Sequence, residues 1–219
     1  MRKVIFAQQE FYHVYNRGTD KRTIFSEEND YARFLESMME FNVLEPIGSL
    51  FANAFRKKNQ LRGSTSKCEG SNEKLVNIVA YCLNQNHYHL LLQQVSDKGV
   101  EKFMQRIGTG YTLYFNNKYE RSGVLFQGKF KAIHIDSNEY LLHISAYVNL
   151  NDRVHKLGSR TSKSSFGEYV RWQDKNGICA KEAVIGQFQK PENYVAFSEN
   201  SLRGTLERRG LLDKSMLLE

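Results

Sequence analysis

Two histidines and a tyrosine–asparagine pair have the residue types and spacing that could support chemistry. His87 and His89 are two positions apart, so on a β-strand both imidazoles project from one face, as ligands of a divalent metal would. Tyr147 and Asn151 are four positions apart, which on a helix puts their Cβ atoms about 5–6 Å apart on one face. A metal on the two imidazoles and the amide oxygen of Asn151 would polarise a scissile phosphate beside the Tyr147 phenol, which is a poor nucleophile unaided.

Spacing alone leaves a structural interpretation open. A His-x-His pair is more often two histidines without a ligand than a metal site. Tyr147 can equally pack against the sheet beside Tyr140 and Ile144, as most helix aromatics do. Three further tyrosines are rival nucleophiles, which we interpret as core or DNA-stacking residues: Tyr111, Tyr114 and Tyr119.

The hydrophobic pattern predicts the elements that must position these residues. Aromatic, β-branched or apolar runs predict strands at 11–16, 75–83, 87–93 and 126–135, and the second and third form a hairpin. Apolar residues at helical spacing predict helices at about 26–41 and 99–119, and a capping signal at Ser137 begins a helix to about Asn151.

The order of these elements predicts an α+β fold, a ferredoxin-like βαββαβ antiparallel sheet with an added C-terminal catalytic helix. We expect a catalytic domain over residues 1–155, with a mobile insertion loop at 54–73. Residues 156–219 form a tail with short helices near 178–188 and 192–197, which contacts DNA or packs on the domain.

Composition narrows the class of protein. With 219 residues, 41% of them hydrophobic and 25% charged, the chain is neither disordered nor a coiled coil as a whole. No apolar run is long enough to cross a bilayer, and the N-terminus lacks the apolar segment of an export signal. Cys68, Cys82 and Cys179 lack zinc-finger spacing and suit a reducing compartment. We therefore expect a cytoplasmic protein with no membrane partner.

The chain is basic, with a net charge of +7. Between residues 102 and 131 there are six basic residues and one acidic residue, and tyrosines and phenylalanines are interleaved with them. Cations that pair with phosphates and rings that stack on bases are typical of proteins that bind single-stranded nucleic acid, although a solvated face over an aromatic core fits equally well. The candidate DNA contacts are Arg17, Arg106, Arg121, Lys129 and Lys131.

Several motifs together resemble one protein family. Residues 81–92, Tyr-Cys-Leu-Asn-Gln-Asn-His-Tyr-His-Leu-Leu-Leu, resemble the hairpin of the HUH single-tyrosine transposases, where two histidines flank a large apolar residue. Further segments resemble the REP-associated tyrosine transposase branch, which is similar to the transposases of small insertion sequences. They are 12–18, 103–106, 114–131, 140–142 and 147–151.

The resemblance implies a metal-dependent DNA strand transferase. Tyr147 would attack single-stranded DNA that carries hairpins and short palindromes, form a 5′-phosphotyrosine and release a 3′-OH. Mg²⁺ or Mn²⁺ would be held by His87, His89 and Asn151. The family includes monomers and homodimers, so the oligomeric state of this chain stays open. The resemblance also implies a nucleoid-associated protein of a bacterium or archaeon. The chain departs from the pattern at Asn151, where the insertion-sequence branch has Gln, and at Asp152, where the REP-associated branch usually has Pro.

Two other functions compete with this one. A ferredoxin-like domain with basic and aromatic residues can be a non-catalytic module that binds single-stranded nucleic acid on its sheet. A metal-free phosphoesterase of the two-histidine-motif type would need a second motif in which His is followed two positions later by Ser or Thr. Only His143-Ile144-Ser145 has this spacing, and it lies on a predicted helix.

Overall fold

The computed structural model describes residues 4–50, 73–155, 157, 161–172 and 177–216. The predicted insertion loop, apart from Glu73, lies outside these residues, as does Cys68. The strands are β1 (Phe11–Arg17), β2 (Val76–Asn84), β3 (His87–Gln94), β4 (Lys131–Ile135) and β5 (Ser162–Ser164). The helices are α1 (Glu28–Glu40), α2 (Gly99–Lys118), α3 (Asn138–Asn149), α4 (Asn151–Val154), α5 (Phe166–Val170), α6 (Glu182–Ile185) and α7 (Pro191–Met216). No helix of the described part is long and apolar enough to cross a membrane.

The strands form one sheet in the order β4-β1-β3-β2-β5, and every neighbouring pair is antiparallel. The first four strands, with α1 after β1 and α2 after β3, have the ferredoxin-like βαββαβ order. The predicted fold class is therefore confirmed. The tail adds β5 along the outer edge of β2.

Each face of the sheet is buried by a different set of elements. On one face α1 and α2 cover an aromatic core that includes Tyr12, Phe34 and Phe103. On the other face α3 and the tail cover a smaller core, in which Val148 and Tyr194 pack with sheet residues. Residues alternate between the two faces along a strand, so His87 and His89 point toward α3 while Tyr88 lies in the aromatic core.

The predicted helix from Ser137 to Asn151 is broken. Leu150 has φ −110° and ψ 20°, outside the α-helical range, so α3 ends at Asn149. The Leu150 carbonyl then accepts from the amides of Arg153 and Val154, which starts a new turn at Asn151. Tyr147 and Asn151 therefore lie on two consecutive helices and not on one face of a single helix.

The other differences have local causes. The predicted strand at 126–135 is shortened to β4, because Gly128 has φ +67° and Phe126 forms only an isolated bridge to Gly18. The tail helix predicted at 192–197 extends as α7 to Met216. The division of the chain at residue 155 stays a prediction, and β5 pairs with β2 across it.

Candidate active site

The register of the sheet brings the candidate residues together. Residues paired across neighbouring strands point to the same face. His87 is paired with Arg17 on β1 and Asn84 on β2. The next row on this face contains Lys131, Tyr15, His89 and Cys82. Two parallel rows, each centred on one histidine of β3, therefore form the floor of the site.

His89 is held by a second histidine. Nε2 of His13 lies 2.8 Å from Nδ1 of His89, and the two residues are 5% and 8% exposed. Burial lowers the pKa of His13 to about 4, so this imidazole is neutral at pH 7. The half-buried Tyr147 ring meets both imidazoles edge-on, with centroids 5.6 Å from His89 and 5.9 Å from His13. The structure thus places the candidate nucleophile directly over the histidine pair.

His87 is oriented by three asparagines. Its Nδ1 lies 2.6 Å from Oδ1 of Asn86, an acceptor, so Nδ1 carries the hydrogen and Nε2 keeps its lone pair. Asn84 Nδ2 donates both to this Nε2, at 2.9 Å, and to Oδ1 of Asn151, at 2.8 Å. The His87 and Asn151 atoms are themselves 3.4 Å apart. Burial, followed by the charges of His155 and Arg17, lowers the pKa of His87 to about 4.

This donor set fits a divalent cation. Neutral imidazole nitrogens and an amide oxygen are ligands that first-row and alkaline-earth cations accept. Asn151 is fully buried and its Nδ2 has no hydrogen-bond partner among the described residues, so its side chain is held through its oxygen. No three His, Cys, Asp or Glu side chains form a metal cluster in the part of the chain that the structure describes. The residues here whose side chains could hold a metal are His87, His89 and Asn151.

The five predicted DNA contacts are dispersed. Arg17 flanks His87, and its Nε donates to Oε1 of Gln127. Lys131 is exposed in the row of His89. Lys129 lines a groove beside α2, on the face away from the histidines.

The other two are used within the fold. Arg121 donates to Oδ1 of Asn116 at 2.8 Å and lies over the Phe115 ring. Arg106 donates to the carbonyls of Phe41, Val43 and Leu44 after α1, and burial lowers its pKa. The structure therefore brings only Arg17 and Lys131, of these five, to the face of the candidate site.

Sequence reasoning missed several members of the site. His13 and Tyr15 are two positions apart on β1, so their side chains lie on the same face of the sheet. In a βαββαβ sheet β1 lies next to β3, so the expected topology already indicated that His13 could lie beside the histidines of β3. Asn84 and His155, whose ring lies 4.8 Å from that of His87, carry no such signal. Their places depend on the pairing of β2 with β3 and on the helix break at Leu150.

Comparisons with known proteins concern the sequence family and the fold. Residues 52–151 match the family model "Transposase IS200 like". A structure of a REP-associated tyrosine transposase bound to a REP hairpin aligns with a TM-score of 0.52 at 10% identity, over 78% of this chain and 85% of that chain. At this identity the likeness concerns the fold alone.

Other comparisons add nothing further. tRNA(His) guanylyltransferase from Saccharomyces cerevisiae aligns over 92% of this chain and 74% of its own, at 12% identity and a TM-score of 0.33, too low to carry an argument. No curated protein sequence matches.

The range matched by the family model includes β2 to the start of α4, which supply His87, His89, Tyr147 and Asn151. Over residues 52–151 the chain is therefore similar to the IS200-like transposases.

Proposed function

We propose that this protein is a DNA transposase that cleaves and rejoins single-stranded hairpin DNA through a 5′-phosphotyrosine on Tyr147, with Mg²⁺ or Mn²⁺ held by His87, His89 and Asn151. The observation that carries the proposal is the edge-on contact of the Tyr147 ring with His89, beside the converging donor atoms of His87 and Asn151. The similar transposase of known structure is bound to a REP hairpin, which supports a hairpin substrate with palindromic elements.

The reaction conserves the energy of the bond that it breaks. The Tyr147 oxygen bonds to phosphorus, the bond from phosphorus to the 3′ oxygen breaks, and the phenolic proton is finally carried by the new 3′-OH. Attack by a 3′-OH on the phosphotyrosine reverses these changes and rejoins a strand, so no nucleotide energy source is required. A bound divalent metal would act as a Lewis acid on the scissile phosphate.

The surrounding residues hold and orient these groups. His13 fixes the ring of His89, and Asn84 donates to Oδ1 of Asn151 and to Nε2 of His87 in this structure. A cation on His87 would take the place of the Asn84 hydrogen bond on Nε2, because that nitrogen has one lone pair. Burial keeps His13 and His87 neutral at pH 7, so both act through their lone pairs. The Arg17 guanidinium, next to His87 on the sheet, is placed to donate to phosphate oxygens.

The arrangement disfavours the non-catalytic alternative. Modules that bind single strands on a four-stranded sheet stack bases on exposed aromatic residues of that sheet. Here one face of the sheet is covered by α1 and α2, and the other by α3 and the tail. The polar residues between the sheet and α3 have the composition of a catalytic site and not of a stacking platform.

The test is covalent capture. With a labelled hairpin oligonucleotide and Mn²⁺, the unaltered protein forms an adduct that survives denaturing electrophoresis. Tyr147→Phe forms none, because it loses the attacking oxygen, yet it binds the hairpin within about twofold because the ring remains. Tyr140→Phe, a matched change on the same helix, keeps the adduct. An adduct in Tyr147→Phe refutes the assignment of the nucleophile, and its absence from the unaltered protein refutes the proposed function.

A further inference from the structure

A buried polar network joins the tail to the end of the helix that carries Tyr147. Its side chains are Ser145, Asn149, Ser165 and Tyr194, and all four are fully buried. Asn149 is the last residue of α3, two positions after Tyr147 and two before Asn151. The network therefore acts between the candidate nucleophile and a candidate metal ligand.

On one side the network reaches the sheet. Ser165 follows β5, which pairs with β2. The Ser165 hydroxyl accepts from the Tyr81 amide at 2.9 Å and donates to Oδ1 of Asn149 at 2.6 Å. The Ser165 amide donates to the Tyr81 carbonyl at 3.0 Å. Ser165 by itself thus links the end of α3 to β2, the strand that pairs with β3, on which His87 and His89 lie.

On the other side the network reaches α7. Nδ2 of Asn149 donates to the Tyr194 hydroxyl at 2.8 Å, and this hydroxyl lies 3.2 Å from Oγ of Ser145, one turn earlier on α3. The Asn149 amide therefore has a tail partner on its oxygen and another on its nitrogen. A buried amide with both ends satisfied is held in one orientation, because leaving either end unpaired is unfavourable.

We propose that Ser165 and Tyr194 are positioning residues for DNA cleavage, which through Asn149 fix the end of α3 and hence the distance from Tyr147 to His89. The inference rests on the proposed function. The helical path ends at Leu150, directly after Asn149, so this end of α3 is set by its lateral contacts and not by a continuing helix. Transfer to phosphorus requires a near-attack geometry, and a displacement of about 1 Å can lower a rate about 100-fold.

The experiment separates positioning from binding. Ser165→Ala and Tyr194→Phe each remove one hydroxyl from Asn149. Single-turnover adduct formation is measured at saturating labelled hairpin DNA and Mn²⁺, and the Kd for the same hairpin is measured without metal. All proteins are compared below their unfolding midpoints. We expect the rate to fall about 10- to 100-fold, with the Kd unchanged within about twofold.

Tyr169→Phe is the matched control. Tyr169 is also a fully buried tail tyrosine, and its ring packs 4.8 Å from that of Tyr194. Its hydroxyl, however, donates to the Val79 carbonyl on β2 and not to α3. We expect a comparable loss of stability and a rate within about twofold of the unaltered protein.

Two results overturn the proposal: rates within twofold of the unaltered protein in both Ser165→Ala and Tyr194→Phe, or an equal loss of rate in Tyr169→Phe. Either result can occur while the unaltered protein still forms its adduct and Tyr147→Phe does not. Failure of this inference is therefore distinguishable from failure of the proposed function.

Discussion

His13→Phe tests the support of the proposed metal site. His13 approaches no candidate ligand other than His89, and the two rings are stacked, with centroids 5.1 Å apart at 20°. If His89 binds metal through Nε2, its Nδ1 carries a hydrogen and donates it to Nε2 of His13 at 2.8 Å. Phenylalanine keeps the stacked ring and removes the acceptor, so Nδ1 of His89 loses this partner inside the protein.

The magnitude follows from the burial of the pair. An unsatisfied buried donor costs about 1–3 kcal/mol, and about 1.4 kcal/mol is a tenfold change in an equilibrium constant. Since the donor belongs to the ligand itself, His13→Phe should weaken Mn²⁺ binding about 5- to 150-fold. The physical cause is that the Nδ1–H tautomer of His89, which leaves Nε2 available to the metal, loses its hydrogen-bond acceptor, and the hairpin Kd without metal should not change.

The assay is Mn²⁺ titration followed by electron paramagnetic resonance of the free ion, without DNA, and then adduct formation at increasing Mn²⁺. His134→Phe is the control, because His134 is exposed and its Nε2 lies 2.8 Å from a carboxylate oxygen of Glu10. An unchanged Mn²⁺ affinity in His13→Phe, with adduct formed at the same Mn²⁺ concentration, would refute the role given to the histidine pair.

Two further predictions concern charge. Lys131→Ala should weaken hairpin binding for every sequence tested and reduce the slope of log Kd against log salt by about one, since one phosphate contact is lost; an unchanged slope would mean that Lys131 is only solvated. Asp30 is buried, which raises its pKa, but hydrogen bonds from Lys118, Tyr119 and two backbone amides outweigh this and lower it. A carboxyl group whose pKa is lower in the folded than in the unfolded protein stabilises the fold at pH values above its unfolded-state pKa. This stabilisation is lost as the pH falls through its folded-state pKa. The stability gap between the unaltered protein and Asp30→Asn, measured by urea unfolding, should therefore shrink below about pH 4, and a gap independent of pH would contradict this.

The sequence predicted the sheet better than the tail because the two depend on different information. The strands β1, β2 and β3 are short runs of apolar and aromatic residues with clear turns at their ends, a pattern that local sequence carries. By contrast, β5 has the sequence Ser-Lys-Ser and is a strand only because it pairs with β2. The break at Leu150 likewise has no Gly or Pro to announce it.

The basic residues show the same limit. Arg17 and Arg106 are indistinguishable as residue types, and both lie among aromatic residues. The pairing of β1 with β3 sets Arg17 beside His87, whereas the guanidinium of Arg106 is occupied by carbonyls that follow α1. Composition therefore predicts a basic protein, but only register and side-chain contacts decide which cations face the site.

The choice among tyrosines follows from where each hydroxyl goes. The Tyr111 hydroxyl is buried and donates to the Ile24 carbonyl at 2.6 Å. Those of Tyr114 and Tyr119 donate to the Asp30 carboxylate at 3.0 and 2.8 Å, and burial raises the pKa of all three phenols. A nucleophile needs an accessible oxygen beside groups that act on the phosphate. Tyr147 is half-buried, contacts two imidazoles, and donates no hydrogen bond to any residue that the structure describes. The Tyr111, Tyr114 and Tyr119 hydroxyls are bound to a backbone carbonyl or to Asp30 on the opposite face of the sheet from the imidazoles, which is why we place the phosphotyrosine on α3.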